Sequence, residues 1–413
     1  MSARLEMPRA SVVAAALRKT TEHLAGEVVR SSASPPDWSE LDWAIARSVA
    51  AMQGISALLA NTTSWAGPPA WVSFLAEQRE QSLLRHERIG TLLEQIDAAA
   101  RQRGVECIVL KGAALRSLDL YRPGERPMGD IDLLVASREM PAIEAVMADI
   151  GYVEAFDMQR HRVFEPLRKV APRAFGEHVD NALKIELHDA VAEPLPVYKV
   201  DITARLQHSA PQPGLRNYPD LVSLLLHLLL HAAGNMRAHA LRQVQLHDIA
   251  MVATLLYERD WDALLEVGNG KERPWWMFPP LALAARYYPE HVPPYALQAA
   301  RAACPSILRF AAARQSLTDV SWSNLRVHAL PGIAWSRTPL EALRFVRTRV
   351  VPSPRSLAEL DIARRAQPQL DRLPWYRVSH GSRILRWLVS RPPRVQTMLS
   401  VRAALESVVK AAD

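Results

Sequence analysis

Cysteine is nearly absent: Cys107 and Cys304 are the only two in 413 residues. That scarcity excludes a disulfide framework and leaves too few thiolates for a structural zinc, so the expected compartment is the reducing cytoplasm. Long hydrophobic runs are missing as well. LVSLLLHLLLHAA, from Leu221 to Ala233, comes closest to a membrane span, but it is short of about 18 apolar residues and carries two histidines, so it reads as a buried helix. The first residues show no basic segment followed by an apolar core and a small-residue cleavage site, and no leader is expected. Low-complexity segments and internal repeats are also lacking.

What is present is an ordinary globular balance of 49% hydrophobic and 23% charged residues, in a chain long enough for two or three domains. The net charge of +7 is unevenly placed. Residues 301–413 hold 19 Arg and Lys against 7 Asp and Glu, a net of +12, whereas residues 1–300 are net −5. A basic tail attracts nucleic acid, anionic lipid or an acidic protein; the competing reading is an arginine-rich chain that merely solvates its helices, since the charges are dispersed.

Hydrophobic periodicity divides the chain. Residues 1–30 predict an amphipathic helix with Val12, Val13, Ala16, Leu17 and Leu24 on one face, followed by a linker at Ser31 to Trp38 and a helix from Leu41 to Leu59. Pro69 to Arg103 is the strongest helical pattern, with Phe74, Leu75, Leu83, Leu84, Ile89, Leu92, Leu93 and Ile96 as its apolar face, and Gly104 stops it. Val105 to Leu110 and Asp130 to Val135 predict strands, joined by a short helix and the Pro- and Gly-rich loop Tyr121 to Gly129. A helix over Pro141–Gly151, an irregular basic region from Phe156 to Glu177, and an alternating strand from Ala182 to Val191 follow. From Pro219 the pattern is helical, with repeated prolines as punctuation.

The chemistry concentrates in MGDIDLLV, Met128 to Val135. Side chains alternate along a strand, so Asp130 and Asp132 share one face while Ile131 and Leu133 share the other, and paired carboxylates at a strand edge seat a divalent metal. Upstream, VLKG at Val109 to Gly112 ends a strand in Lys111 and Gly112 before a helix, an arrangement suited to phosphate. Two metals usually need a third carboxylate from a neighbouring strand, and Glu186, on the polar face with Lys184 and His188, is the candidate.

Together with Tyr121, PGERP at Pro123 to Pro127 and ELH at Glu186 to His188, these motifs resemble the uncharacterised nucleotidyltransferase branch of the DNA polymerase β-like superfamily. The resemblance covers roughly Arg85 to Leu265, through HLLLH, LHDIA and DWDAL, and extends faintly to Val351–Pro354 and PWYR at Pro374–Arg377. It implies that Asp130, Asp132 and Glu186 are catalytic and bind Mg²⁺ or Mn²⁺. It also implies that Gly112 lets the backbone approach the triphosphate of ATP or another NTP, and that Lys111 and Arg126 neutralise it; Gly129 and His188 complete the nucleotide-binding set. Ala113 departs from the Gly-Ser or Gly-Gly turn typical of that superfamily.

Each residue also has a bland reading. Lys111 can be a solvated strand-end lysine, Arg126 a brace for the proline loop, and His188 a structural or pocket histidine. His227 and His231 lie four apart on a helix, yet HLLLH lacks the glutamate of a zinc motif. Asp248 can pair within the helices or reach the pocket, and Trp261, Trp275 and Trp276 read as core.

The expected fold is α+β: a polymerase β-like nucleotidyltransferase core, a small mixed sheet flanked by helices, over residues 67–200. A helical segment (1–66) precedes it, a helical domain (201–300) closes over it, and a basic, mostly helical extension (301–413) follows. The expected activity is metal-dependent nucleotidyl transfer from an NTP to an acceptor hydroxyl on RNA, a small molecule, a protein or a ribosomal peptide, with the basic tail available for RNA or peptide. The alternatives are transfer of phosphate or a sugar by the same fold, and a non-catalytic nucleotide-binding module, against which the intact acids argue.

Overall fold

The helix Pro69–Arg103 begins on a proline at its first turn, where no intrahelical N–H is needed, and ends at Gly104, whose φ of 71° lets its N–H reach back to Ala100. In the computed structural model, which describes residues 7–157, 161–168, 175–267, 273–328, 330–354, 356–358, 378–390 and 392–412, this helix joins two apolar cores. Trp71, Phe74 and Leu75 enter one; Ile89, Leu92, Ile96 and Ala100 enter the other. Leu83 and Leu84, expected on the buried face, are instead exposed where the helix passes between the cores.

The first core brings the two ends of the chain together. Helix Ala10–Val29 contributes Val13, Leu17 and Leu24, and Val401 of helix Val395–Ala412 joins them. Val12, read as part of that apolar face, is exposed. The helix expected over Leu41–Leu59 is two, Glu40–Met52 and Ser56–Thr62, bent by 112°. The break falls at Gly54, whose φ of 67° is left-handed. Arg47 Nη2 donates to the Ala404 carbonyl at 3.1 Å, which pins the C-terminal helix against Glu40–Met52.

The second core surrounds a six-stranded mixed sheet. Its strands are β1 (Glu106–Val109), β2 (Asp130–Leu134), β3 (Tyr152–Asp157), β4 (Arg162–Pro166), β5 (Lys184–His188) and β8 (Gly214–Arg216), in the order β3-β4-β5-β2-β1-β8. β6 (Ala192–Pro194) and β7 (Lys199–Asp201) form a separate hairpin. The region read as irregular from Phe156 thus holds β4, paired with β3, which starts before it; β3 is exposed at most of its positions, so it carries no period-two signal. β6, β7 and β8 have three residues each, too few to show alternation.

Helices after residue 219 share this core. Leu225, Leu226, Leu229 and Leu230 of helix Leu221–Ala238 are fully buried. That helix has the length and apolarity of a membrane span, but 72% of it is buried inside the protein. Trp261, Trp275 and Trp276 are core residues, as expected. Part of the tail's charge is structural: Arg394 donates to the Ser321 carbonyl, and burial lowers its pKa to about 10. Pro374–Arg377 lie outside the described residues.

His239 ends helix Leu221–Ala238 in the left-handed region, donates Nδ1–H to the Asp319 carbonyl at 2.7 Å, and stacks on His328 at 4.5 Å. Burial, His328 and Arg394 lower its pKa from 6.5 to about 4. The unfolded chain therefore takes up this proton first, and stability falls as pH drops from 6.5 to about 4. His239→Asn, which tolerates the same backbone, should flatten that part of a urea-unfolding pH profile. An unchanged slope would remove His239 as its source.

Candidate active site

β2 lies between β1, antiparallel to it, and β5, parallel to it. The parallel register places Asp130 opposite Lys184, Asp132 opposite Glu186, and Leu134 opposite His188. Ile131 and Leu133 are fully buried on the core side, so the acids occupy the other face. Asp130, Asp132 and Glu186 line one cleft of about 600 Å³, together with Lys111, Gly112, Arg126 and Gly129.

Asp132 is held by two side chains. Lys111 Nζ donates to Asp132 Oδ1 at 2.7 Å, and His188 Nε2 lies 2.9 Å from the same oxygen. Burial opposes ionisation of Asp132, yet the Lys111 charge and the His188 hydrogen bond outweigh it and hold the carboxyl well below its usual range. For Lys111 burial is likewise outweighed, by Asp132 and Asp130, and its pKa is raised. Burial and the neighbouring Asp132 raise Asp130, and burial with both aspartates raises Glu186 to about 8. Three carboxylates crowded in this way fit a divalent cation, which would remove the repulsion that keeps Glu186 protonated.

The turn before the short helix Lys111–Leu115 differs from expectation. Lys111, not Gly112, takes the left-handed backbone, with φ of 49°. Its N–H donates to Tyr218 Oη at 3.0 Å, and Tyr218 Oη lies 2.7 Å from His227 Nδ1. A Cβ on Gly112 would press on Arg126 Nη1 and stand 2.6 Å from Met128 Sδ, so a larger residue there makes those side-chain ends shift. A Cβ on Gly129 would meet nothing within 4 Å, so its openness belongs to the cleft.

Arg126 faces the cleft but its charge is already engaged. Nε and Nη2 hold Asp248 bidentately at 2.8 and 2.6 Å, and Tyr121 donates to Asp248 Oδ1 at 2.7 Å. The loop arginine thus clamps Tyr121 and the PGERP loop to helix Gln243–Ala253, the bracing role weighed against phosphate binding. Arg242, at the start of that helix, was not singled out from the sequence. It is exposed, lines the cleft, and among the described residues forms no ion pair. Its sequence signal was slight, an arginine after a loop.

Arg85 is another residue the sequence left unnoticed, hidden in a helical pattern. Buried on helix Pro69–Arg103, it pairs with Glu177 at 2.9 Å. It also donates to the carbonyls of Met128 at 2.9 Å, His178 at 3.1 Å and Asn181 at 2.8 Å. It therefore ties the turn before Asp130 to the loop before β5. Glu177 lines the cleft too, as does Asp248, and burial raises the Glu177 pKa.

His188 does not line the main cleft. It stands behind Asp132 at an adjoining cavity of about 140 Å³, which Lys111 and Glu186 also border. His227 and His231 border that cavity too, and neither shows a zinc arrangement: His227 bonds Tyr218, and His231 Nε2 accepts from Asn235 at 3.0 Å. Burial holds both well below the usual histidine range. The expected cleft between the sheet and the following helices is also walled by Met52 and Gly54 from the N-terminal helices, and by Trp322, Thr397 and Ser400.

A family model described as an uncharacterised nucleotidyltransferase matches residues 39–288. The chain belongs to that family. The match begins before and ends beyond the span from Arg85 to Leu265 legible in the motifs, and it takes in Arg85, Arg242, Asp248 and every acid of the cleft. The cleft wall from Trp322 to Ser400 lies outside it. No curated protein and no solved structure matches the chain.

Replacing Asp248 with Asn leaves a buried guanidinium without its countercharge, and should destabilise the protein by about 3 kcal/mol. Chemical denaturation measures this, and a loss below about 1 kcal/mol would show that the clamp does not hold the loop.

Proposed function

We propose that the protein is a divalent-metal-dependent nucleotidyltransferase with a polymerase β-like core, moving a nucleotidyl group from an NTP to an acceptor hydroxyl. The register that sets Asp132 beside Glu186, with Asp130 on the same cleft wall, carries this reading. Asp130, Asp132 and Glu186 would hold Mg²⁺ or Mn²⁺, whose chemistry when bound is to neutralise the triphosphate and favour ionisation of the acceptor oxygen.

The chain's own residues account for the rest. Lys111 and Arg242 face the cleft as cations available to phosphate oxygens, once Lys111 exchanges Asp132 for the nucleotide. Arg126 reaches the same cleft while bracing its wall. The acceptor oxygen forms a bond to the α-phosphorus, the bond from that phosphorus to the bridging oxygen breaks, pyrophosphate leaves, and the acceptor's proton passes to Glu186. A cleft of about 600 Å³ suits a nucleotide and the reacting end of an acceptor. That acceptor is RNA, a small molecule, a protein or a peptide, with the basic C-terminal region available to an anionic one.

One observation keeps a second reading open. Ala113 offers no hydroxyl to phosphate, which leaves room for transfer of phosphate or a sugar from an activated nucleotide. Incubation with Mg²⁺ or Mn²⁺ and each NTP, followed by mass spectrometry of protein, RNA and peptide pools, separates the two. A gain of one nucleoside monophosphate is the expected result, and a phosphate or hexose gain would replace it. Asp130→Ala combined with Asp132→Ala should abolish product, and Arg242→Ala should raise the KM for NTP about tenfold. Activity surviving the double substitution would remove the aspartates from the mechanism.

A further inference from the structure

The small cavity behind Asp132 holds a donor set that magnesium chemistry does not use. β4 and β5 run antiparallel with Arg162 opposite Leu187, so His161, immediately before β4, comes opposite His188 at the end of β5. Glu186 and His188 are two apart on β5 and share a face. The register alone therefore gathers three ligand residues, two imidazoles and one carboxylate, at one place. His161 Nε2 is 3.4 Å from Glu186 Oε2, His188 Nε2 is 3.8 Å from it, and the two imidazole rings lie 5.1 Å apart. One ligand atom from each residue falls within 4.8 Å of the others, and all three residues border the cavity of about 140 Å³.

We propose that His161, Glu186 and His188 form a second metal site, selective for a zinc-type divalent ion over magnesium. Two imidazoles and one carboxylate with a fourth position open to solvent is the donor set of catalytic zinc, whereas Mg²⁺ demands oxygen ligands and octahedral geometry. The surroundings suit a cation. Asp132 adds a carboxylate beside the site, where its contact with His188 Nε2 would give way to a metal on that nitrogen, and Asp130 lies on the same strand face as Asp132. The ammonium of Lys111 also borders the cavity, but it is paired with Asp132. His227 and His231 border it as neutral rings.

Glu186 belongs to both sites and would bridge them, placing an ion with an exchangeable ligand beside the position where the acceptor reacts. This role rests on the nucleotidyltransferase reading; the binding site itself does not.

The test uses the full chain, stripped of metal with a chelator and titrated with Co²⁺, a coloured stand-in for Zn²⁺, in millimolar Mg²⁺. The expected result is one Co²⁺ per chain with the visible absorption of imidazole ligation, displaced by Zn²⁺. His161→Ala should weaken Co²⁺ binding by at least about 100-fold, because loss of even an outer-shell partner costs 10- to 100-fold. Asp130→Asn should leave Co²⁺ binding within a few fold, and thermal melts confirm that both variants fold. Co²⁺ binding that excess Mg²⁺ abolishes, or that His161→Ala leaves intact, would overturn the site. Co²⁺ binding with no nucleotidyl product would sink the catalytic reading and leave the site standing.

Discussion

A carboxylate buried on an interior strand of a sheet cannot remain charged without partners, and Asp132 is that carboxylate here. Lys111 and His188 supply the partners, and each brings a further piece of structure with it. Lys111 is held in its left-handed turn by Tyr218, which bonds His227 on the buried helix Leu221–Ala238. His188 ends β5, whose parallel register delivers Glu186 beside Asp132. The need to compensate one charge thus connects the strand edge, the glycine turn and the helical layer. In the function proposed, the same compensation is exchangeable: a divalent ion and a phosphate would take over what Asp132 and Lys111 do for each other.

Two arginines keep that arrangement rigid from outside. Arg85 gathers carbonyls from the turn before Asp130 and from the loop before β5, so the strands that carry the acids are tied to the long helix. Arg126 and Asp248 fasten the proline loop to the helix that begins at Arg242. Because helix Pro69–Arg103 also enters the core where both ends of the chain meet, the C-terminal helix is placed against the N-terminal helices and over the cleft.

Much of the site was legible because its residues are sequential or periodic. Asp130 and Asp132 are two apart on a strand, Glu186 and His188 are two apart on another, and Lys111 and Gly112 follow an apolar run. The long helix was legible from proline to glycine. Arg85, Arg242 and His161 were not: Arg85 and His161 act through partners distant in the chain, Arg242 is brought to the cleft only by the fold, and each sits in a stretch whose local pattern says only helix, loop or strand end. β3 escaped notice because an exposed edge strand has no hydrophobic alternation, and β8 because three residues are too short for one.

By itself the sequence determined which face of β2 carries the acids, which motif precedes them, and that a mixed sheet with helices would hold them, since alternation and glycine placement are local properties. Only the tertiary structure decided that Arg126 is spent on Asp248, that Lys111 guards Asp132, and that His161 joins Glu186 and His188. Those outcomes depend on strand register and on competition between distant charges for the same partner, neither of which is written in local spacing.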